Sequence, residues 1–163
     1  MIQLIVTGGT FDKTYDHIHG ELFFQNTHIP KMLERSRCQL EIDITPLFLK
    51  DSLELTEADL KQIENSCIAS SSQAIVITHG TDTMVNTAKR IAQLALNKTI
   101  VFTGAMIPYA FGSSSDGFFN LGCALSYSQT LPPNVYITMQ GQYFLWNEVQ
   151  KNKHLGLFEK SSE

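Results

Sequence analysis

Four short runs of apolar, largely β-branched residues set what this chain can fold into: Ile2–Val6, Ala74–Thr78 (AIVIT), Thr99–Thr103 (TIVFT) and Val135–Met139 (VYITM). None alternates apolar with polar, so each predicts a strand covered on both faces. A fifth strand is read within Gln39–Phe48, where LEIDIT alternates. Helix signals fall between the strands. Pro30 opens a short helix through about Arg35. Thr56 ahead of Glu57-Ala58-Asp59 opens one to about Ala69. Two more are expected from about Asp82 to Leu96 and from about Phe118 to Ser128, the latter ended by Pro132-Pro133. Strands alternating with helices predict a three-layer, doubly wound α/β fold on a mostly parallel five-stranded sheet, flavodoxin-like in size. Residues 11–28 and 104–117 are expected as long polar loops, and the segment from Gln150 as a polar, charged tail. Ligands of such sheets bind at the carboxyl ends of strands. The loops that start at Thr7, His79 and Gly104 all lie there.

Composition narrows the function. A chain of 163 residues predicts a single domain spanning 1–163. Hydrophobic residues at 43% and charged residues at 17% exclude a disordered chain. A domain of this size buries roughly 70% of its unfolded surface and needs no disulfide staples. A net charge of −4 argues against a nucleic-acid partner. No apolar run reaches the ~18 residues of a membrane helix, and the start on MIQLIVTGG has no leader-like pattern. Cys38, Cys67 and Cys123 are scattered and odd in number, as expected for reduced thiols in a cytoplasmic protein. His17, His19 and His28 share one loop and read as solvated histidines rather than metal ligands.

The strand-end loops carry the chemistry. In Thr7-Gly8-Gly9-Thr10-Phe11-Asp12-Lys13 the paired glycines let backbone approach a ligand closely. The segment is neither GxGxxG nor GK[ST], which argues against a nucleotide loop; taken alone it also fits a tight turn. Thr78-His79-Gly80-Thr81-Asp82-Thr83 places Thr and Asp at a helix start, where they serve as caps or as an amino-acid or anion site. In the third loop Ala105 and Met106 read as packing residues and Asp116 as the cap of the next helix.

TGGT after the first strand, THGTDTM after the third, and TGAM-x-P with SDG-x-FN after the fourth occur in one order along Ile2 to about Lys151. In this the chain resembles the N-terminal domain of the bacterial-type L-asparaginases, in a short-chain form without the family's C-terminal domain. The resemblance implies hydrolysis of the L-asparagine side-chain amide to aspartate and ammonia. It implies a threonine nucleophile, an acyl-enzyme, no cofactor, a small-molecule substrate and a homodimer or higher homo-oligomer. The second Thr of TGGT, Thr10, would be the nucleophile, with Tyr15 beside it from the following loop. Thr81 and a lysine would assist the attack, and Asp82 would bind the substrate ammonium. Counting on without a gap from VYITM gives Lys151, with Lys153 as the fallback. Asp51 and Ser52, with Gly9, Gly80 and Ala105, make up the implied substrate-binding set. A carboxylate beside a lysine favours the charged ammonium, so Lys151 is expected as a proton relay or electrostatic partner rather than a strong base. Backbone N–H groups near Thr10 and Thr81–Asp82 would supply oxyanion donors. Val85-Asn86 stands where the family usually shows acids, and Ile107 where it often shows Arg. Two alternatives remain at this point: an amino-acid-sensing domain, and a hydrolase preferring glutamine, whose extra methylene is worth only about 1–3 kcal/mol of discrimination.

Overall fold

The computed structural model describes residues 1–161. Six strands form the central sheet: β1 (Ile2–Gly8), β4 (Ile42–Lys50), β5 (Ala74–Thr78), β6 (Thr99–Thr103), β7 (Asn134–Met139) and β8 (Gln142–Leu145). Their spatial order is β4-β1-β5-β6-β7-β8. The first five are mutually parallel, as the sequence led us to expect, in the 2-1-3-4-5 winding of flavodoxin-like sheets. The expected five-stranded sheet gains a sixth, antiparallel strand, β8. It follows β7 through Gln140-Gly141, both at positive φ (56° and 83°). That is the mirror-image turn whose twist suits a two-residue hairpin.

Period-two projection explains why the runs are apolar throughout. Ile5, Ile75, Ile77, Ile100, Phe102 and Ile137 point to one face, against Ile63 and Cys67 of α2 (Glu57–Ala69) and Met84, Ala88 and Ile91 of α3 (Met84–Ala92). Leu4, Val6, Val76, Val101 and Tyr136 point to the other. There they meet Ile29 and Met32 of α1 (Ile29–Arg35) and Leu121, Ala124 and Leu125 of α4 (Gly117–Thr130). Each such buried side chain contributes about 1.5–3 kcal/mol. Pro46 lies in β4 at the sheet edge, where a missing ladder donor is tolerated.

The helices start where the sequence indicates. Thr56 and Asp59 form a reciprocal capping box at α2. α3 is shorter than expected at both ends: Asp82 and Thr83 stay in the preceding turn, and Ala95 turns to φ 50° beyond its end. Residues 11–28 are not the irregular loop expected. They hold a hairpin of β2 (Lys13–Asp16) and β3 (Glu21–Phe24), with Gly20 at φ 71° in its turn. The expected tail is likewise a hairpin, β9 (Val149–Asn152) with β10 (Leu157–Lys160), pinned by the fully buried Phe158. No described helix is long and apolar enough to cross a membrane.

Candidate active site

The carboxyl edge of the sheet is tied together by threonine. Thr7 Oγ1 donates to the Thr78 carbonyl at 2.7 Å, His79 N to the Thr103 carbonyl at 2.9 Å, and Thr103 Oγ1 to the Thr138 carbonyl at 3.0 Å. These bonds run from β1 to β7 and fix where each following loop departs.

Glycine then lets those loops converge. A Cβ on Gly9, whose φ is 74°, would collide with the backbone of Gly80. A Cβ on Gly80 would sit 2.6 Å from both Cβ and Oγ of Ser52, and one on Gly104 would strike the His79 carbonyl. The first strand-end turn, the β4–α2 loop and the turn before α3 are therefore in backbone contact. Gly9 N donates to the Lys50 carbonyl at 2.8 Å, and Thr83 Oγ1 to the Ser52 carbonyl at 3.1 Å. Any larger residue at Gly9 or Gly80 would separate these loops.

Thr10 opens a short 3-10 turn (Thr10–Asp12) directly after Gly9 and is half-buried. Thr81 is buried at the next strand end. Lys151 Nζ reaches across from β9 and donates to Thr81 Oγ1 at 2.7 Å and to Asp82 Oδ1 at 2.8 Å. Its side chain is 12% exposed and that of Asp82 is 37% exposed. Lys153 lies exposed in the turn after β9, so of the two lysines it is Lys151 that meets Thr81 and Asp82. Tyr15 sits on β2, half exposed, edge-on to Phe111 with ring centroids 6.5 Å apart. Ser52 is buried against Gly80. Asp51 accepts from Leu53 N at 3.1 Å and from Lys13 Nζ at 2.6 Å, and its carboxyl is held below the ordinary range, chiefly by that Lys13 bond. Ala105 is buried with its methyl toward Gly117, as a packing residue.

Three neighbouring groups have structural duties. His79 is fully buried and its Nδ1–H donates to the Gly80 carbonyl, 2.8 Å away. Burial lowers its pKa to about 4, so the ring is neutral at physiological pH. Asp116 takes the N-cap position of α4 as expected, but its side chain makes no cap bond to that helix's backbone. Its carboxylate takes Met106 N, Ile107 N and Asn120 Nδ2, each at 3.0 Å, and so fixes the third loop. Asp12 is fully buried and accepts from Thr27 Oγ1 at 2.9 Å and His28 N at 2.8 Å, closing the base of the β2–β3 hairpin. Its Oδ2 has no partner among the described residues, and burial raises its pKa to about 6. Sequence reasoning missed Lys13 and Asp12. Their only signal was position, just after the Thr10 turn.

Comparison with known proteins gives the family and the fold. The family model described as "Asparaginase, N-terminal" matches residues 1–159. The chain is 32% identical over 143 residues, 82% of its length, to L-asparaginase 1 of Escherichia coli K12, covering 41% of that protein. It is 36% identical over 85 residues, 51% of its length, to the L-asparaginase of Thermococcus kodakarensis, covering 26% of it. The solved structure of the thermostable L-asparaginase from T. kodakarensis superposes with a TM-score of 0.83 at 26% identity, over 98% of this chain and 51% of that one. L-asparaginase I from Vibrio cholerae gives 0.81 at 26% identity, over 98% of this chain and 50% of that one. The chain thus spans about half the length of these solved relatives. With a family match over nearly its whole length, this chain belongs to the asparaginase family, in the part that forms that family's N-terminal domain.

Proposed function

We propose that this chain is an amidohydrolase that hydrolyses L-asparagine to L-aspartate and ammonia through a Thr10 acyl-enzyme. The observation that carries the reading is the Thr81–Lys151–Asp82 cluster, joined across 70 residues of sequence and set beside the Gly9–Thr10 turn. Relatives named L-asparaginase point the same way. A hydroxyl is a weak nucleophile until a neighbour takes its proton. Tyr15, on β2, would accept the Thr10 proton and pass its own phenolic proton to solvent as Thr10 Oγ1 attacks the amide carbon. Backbone N–H groups of the two strand-end turns would hold the oxyanion. Asp82 would bind the substrate ammonium. The Lys151 ammonium would stabilise developing charge and relay a proton through Thr81 Oγ1 to the departing ammonia. Water would then attack the acyl-enzyme, with the Thr81–Lys151 pair again carrying the proton. The reading includes a homodimer or higher homo-oligomer and, from the free thiols Cys38, Cys67 and Cys123, a reducing compartment.

The test is ammonia release from purified protein with L-asparagine, L-glutamine and D-asparagine, beside the Thr10→Ala variant. Release from L-asparagine that disappears in the variant supports the reading. Binding of asparagine without release in either protein would favour an amino-acid sensor.

A further inference from the structure

The β2–β3 hairpin joins the body of the domain at two feet. Asp12 is the first, directly before Lys13, and residues 25–28 form the second, between Phe24 and α1. One side chain bridges them. Asp12 Oδ1 accepts from Thr27 Oγ1 at 2.9 Å and from His28 N at 2.8 Å. Thr27 Oγ1 in turn accepts from Ile29 N at 3.3 Å, and Ile29 is fully buried at the start of α1. Asp12 also closes the turn that Thr10 opens. Its N–H donates to the Gly9 carbonyl at 3.1 Å, and Phe11 beside it is fully buried in the core. Main chain thus ties Asp12 to the Thr10 turn, and its carboxylate ties that turn to the far foot of the hairpin.

The hairpin's other ties are weaker. The side chains of the Lys13–Asp51 pair are 19% and 31% exposed, and Tyr15 is half exposed against Phe111. Thr14 Oγ1 lies 3.4 Å from His28 Nε2, long for a hydrogen bond. Ion pairs with that access to water contribute little, whereas a buried carboxylate that accepts from two donors holds them firmly. Keeping an acid here is also costly. Asp12 is fully buried, and its Oδ2 has no partner among the described residues. Packing alone would favour an apolar residue at such a position, so the carboxylate calls for a role beyond filling space.

We propose that Asp12 is a positioning residue for the reaction: by clamping the far foot of the hairpin to the Thr10 turn, it fixes Thr10 and Tyr15 relative to one another. The proposal deepens the asparaginase reading and rests on it, since only there do Thr10 and Tyr15 act together. Asp12 touches neither the substrate nor the reacting atoms. It works through the turn on one side and the hairpin on the other.

Two variants separate the acceptor from the space it fills. Asp12→Leu roughly keeps the volume and removes the acceptor, whereas Asp12→Asn keeps Oδ1. Ammonia release from L-asparagine is measured well below each melting temperature, taken by circular dichroism, so that every molecule is folded. Amide hydrogen exchange is followed on the same proteins. Asp12→Leu should lower kcat by roughly tenfold to a hundredfold with KM within about threefold, the cost of misplacing a reacting pair. It should speed exchange across residues 13–28 by about tenfold or more, while β1, β5 and β6 exchange as before. Asp12→Asn should stay within about threefold in both kcat and hairpin exchange. Thr27→Val removes one donor from the clamp and should give the Asp12→Leu pattern at about three- to tenfold; it carries the test should Asp12→Leu not fold. Three results would overturn the proposal and leave the asparaginase reading intact: unchanged kcat and hairpin exchange in Asp12→Leu and Thr27→Val, a loss in Asp12→Asn as deep as in Asp12→Leu, or exchange that rises equally in the hairpin and the central strands. No ammonia release from the unsubstituted protein would overturn both.

Discussion

The proposed site draws on two regions built in different ways. Thr10, Ser52 and Thr81 stand on the carboxyl edge of the parallel sheet, where threonine hydroxyls and glycine contacts lock each loop to the next. Lys13, Tyr15 and Lys151 stand on two antiparallel hairpins outside that sheet. The β9–β10 hairpin is anchored in the core by Phe158 and Val149 and is bonded to Gln140 at Gly156 and Phe158. The β2–β3 hairpin is held by the Asp12 carboxylate at its base, the Lys13–Asp51 pair and the edge contact of Tyr15 with Phe111. Hairpins tied to the body of the domain by a handful of side chains open more readily than a central strand. In the proposed mechanism the edge would present the nucleophile and the hairpins would bring the proton-transfer groups to it.

Each side of this contrast can be broken separately. Thr10→Ala should remove about four orders of magnitude of ammonia release, yet leave the melting temperature unchanged, since Thr10 is half-buried and holds no side-chain bond in the described hydrogen-bond network. Phe158→Ala should cost about 3–5 kcal/mol in thermal unfolding. It should also lower activity, because the hairpin that loses its anchor carries Lys151. A stable Phe158→Ala protein with full activity would show that the hairpin docks through other contacts.

Asp12 gives a third effect, smaller and dependent on pH. Its folded-state carboxyl keeps its proton up to about pH 6, against an ordinary value of 3.8. The unfolded chain therefore loses this proton first. Stability should fall as pH rises from about 4 to 6, by up to about 3 kcal/mol, and then stay level. Asp12→Asn keeps an acceptor for Thr27 and His28 and should flatten that slope in melting curves taken across this range. The smallest effect belongs to Lys153→Ala, expected to stay within about 0.5 kcal/mol in stability and to leave activity unchanged. A large loss there would mean that the turn, and not Lys151 alone, serves the site.

What could be read from the residues divides along the same line. The parallel strands were legible because burial on both faces leaves no choice but apolar residues, as in AIVIT and TIVFT. The strand-end loops were legible because close backbone approach demands glycine at Gly9 and Gly80. The hairpins were not. KTYD and VQKN are four residues long, largely polar, and become strands only because a partner and an anchor lie elsewhere in the chain. Lys13 acquires its bond from Asp51, 38 residues away, so no local pattern announces it. Lys151 was reached by extending the β7 match without a gap, not by any feature of WNEVQK itself. Asp116 misled because a carboxylate before a helix usually caps it; here three donors around the third loop claim it instead.

The bond from Lys151 to Thr81 also bears on how the chain regains activity when it refolds. It closes 70 residues of sequence, and its lysine stands on a hairpin whose place depends on the β6–β7 pairing and on the burial of Phe158, so it is expected to form after both. A refolding chain would regain most of its secondary structure before it regains this contact. Far-UV signal should thus return ahead of ammonia release after dilution from denaturant. During that lag the protein would look folded and be catalytically silent, a natural delay between acquiring a shape and acquiring a chemistry.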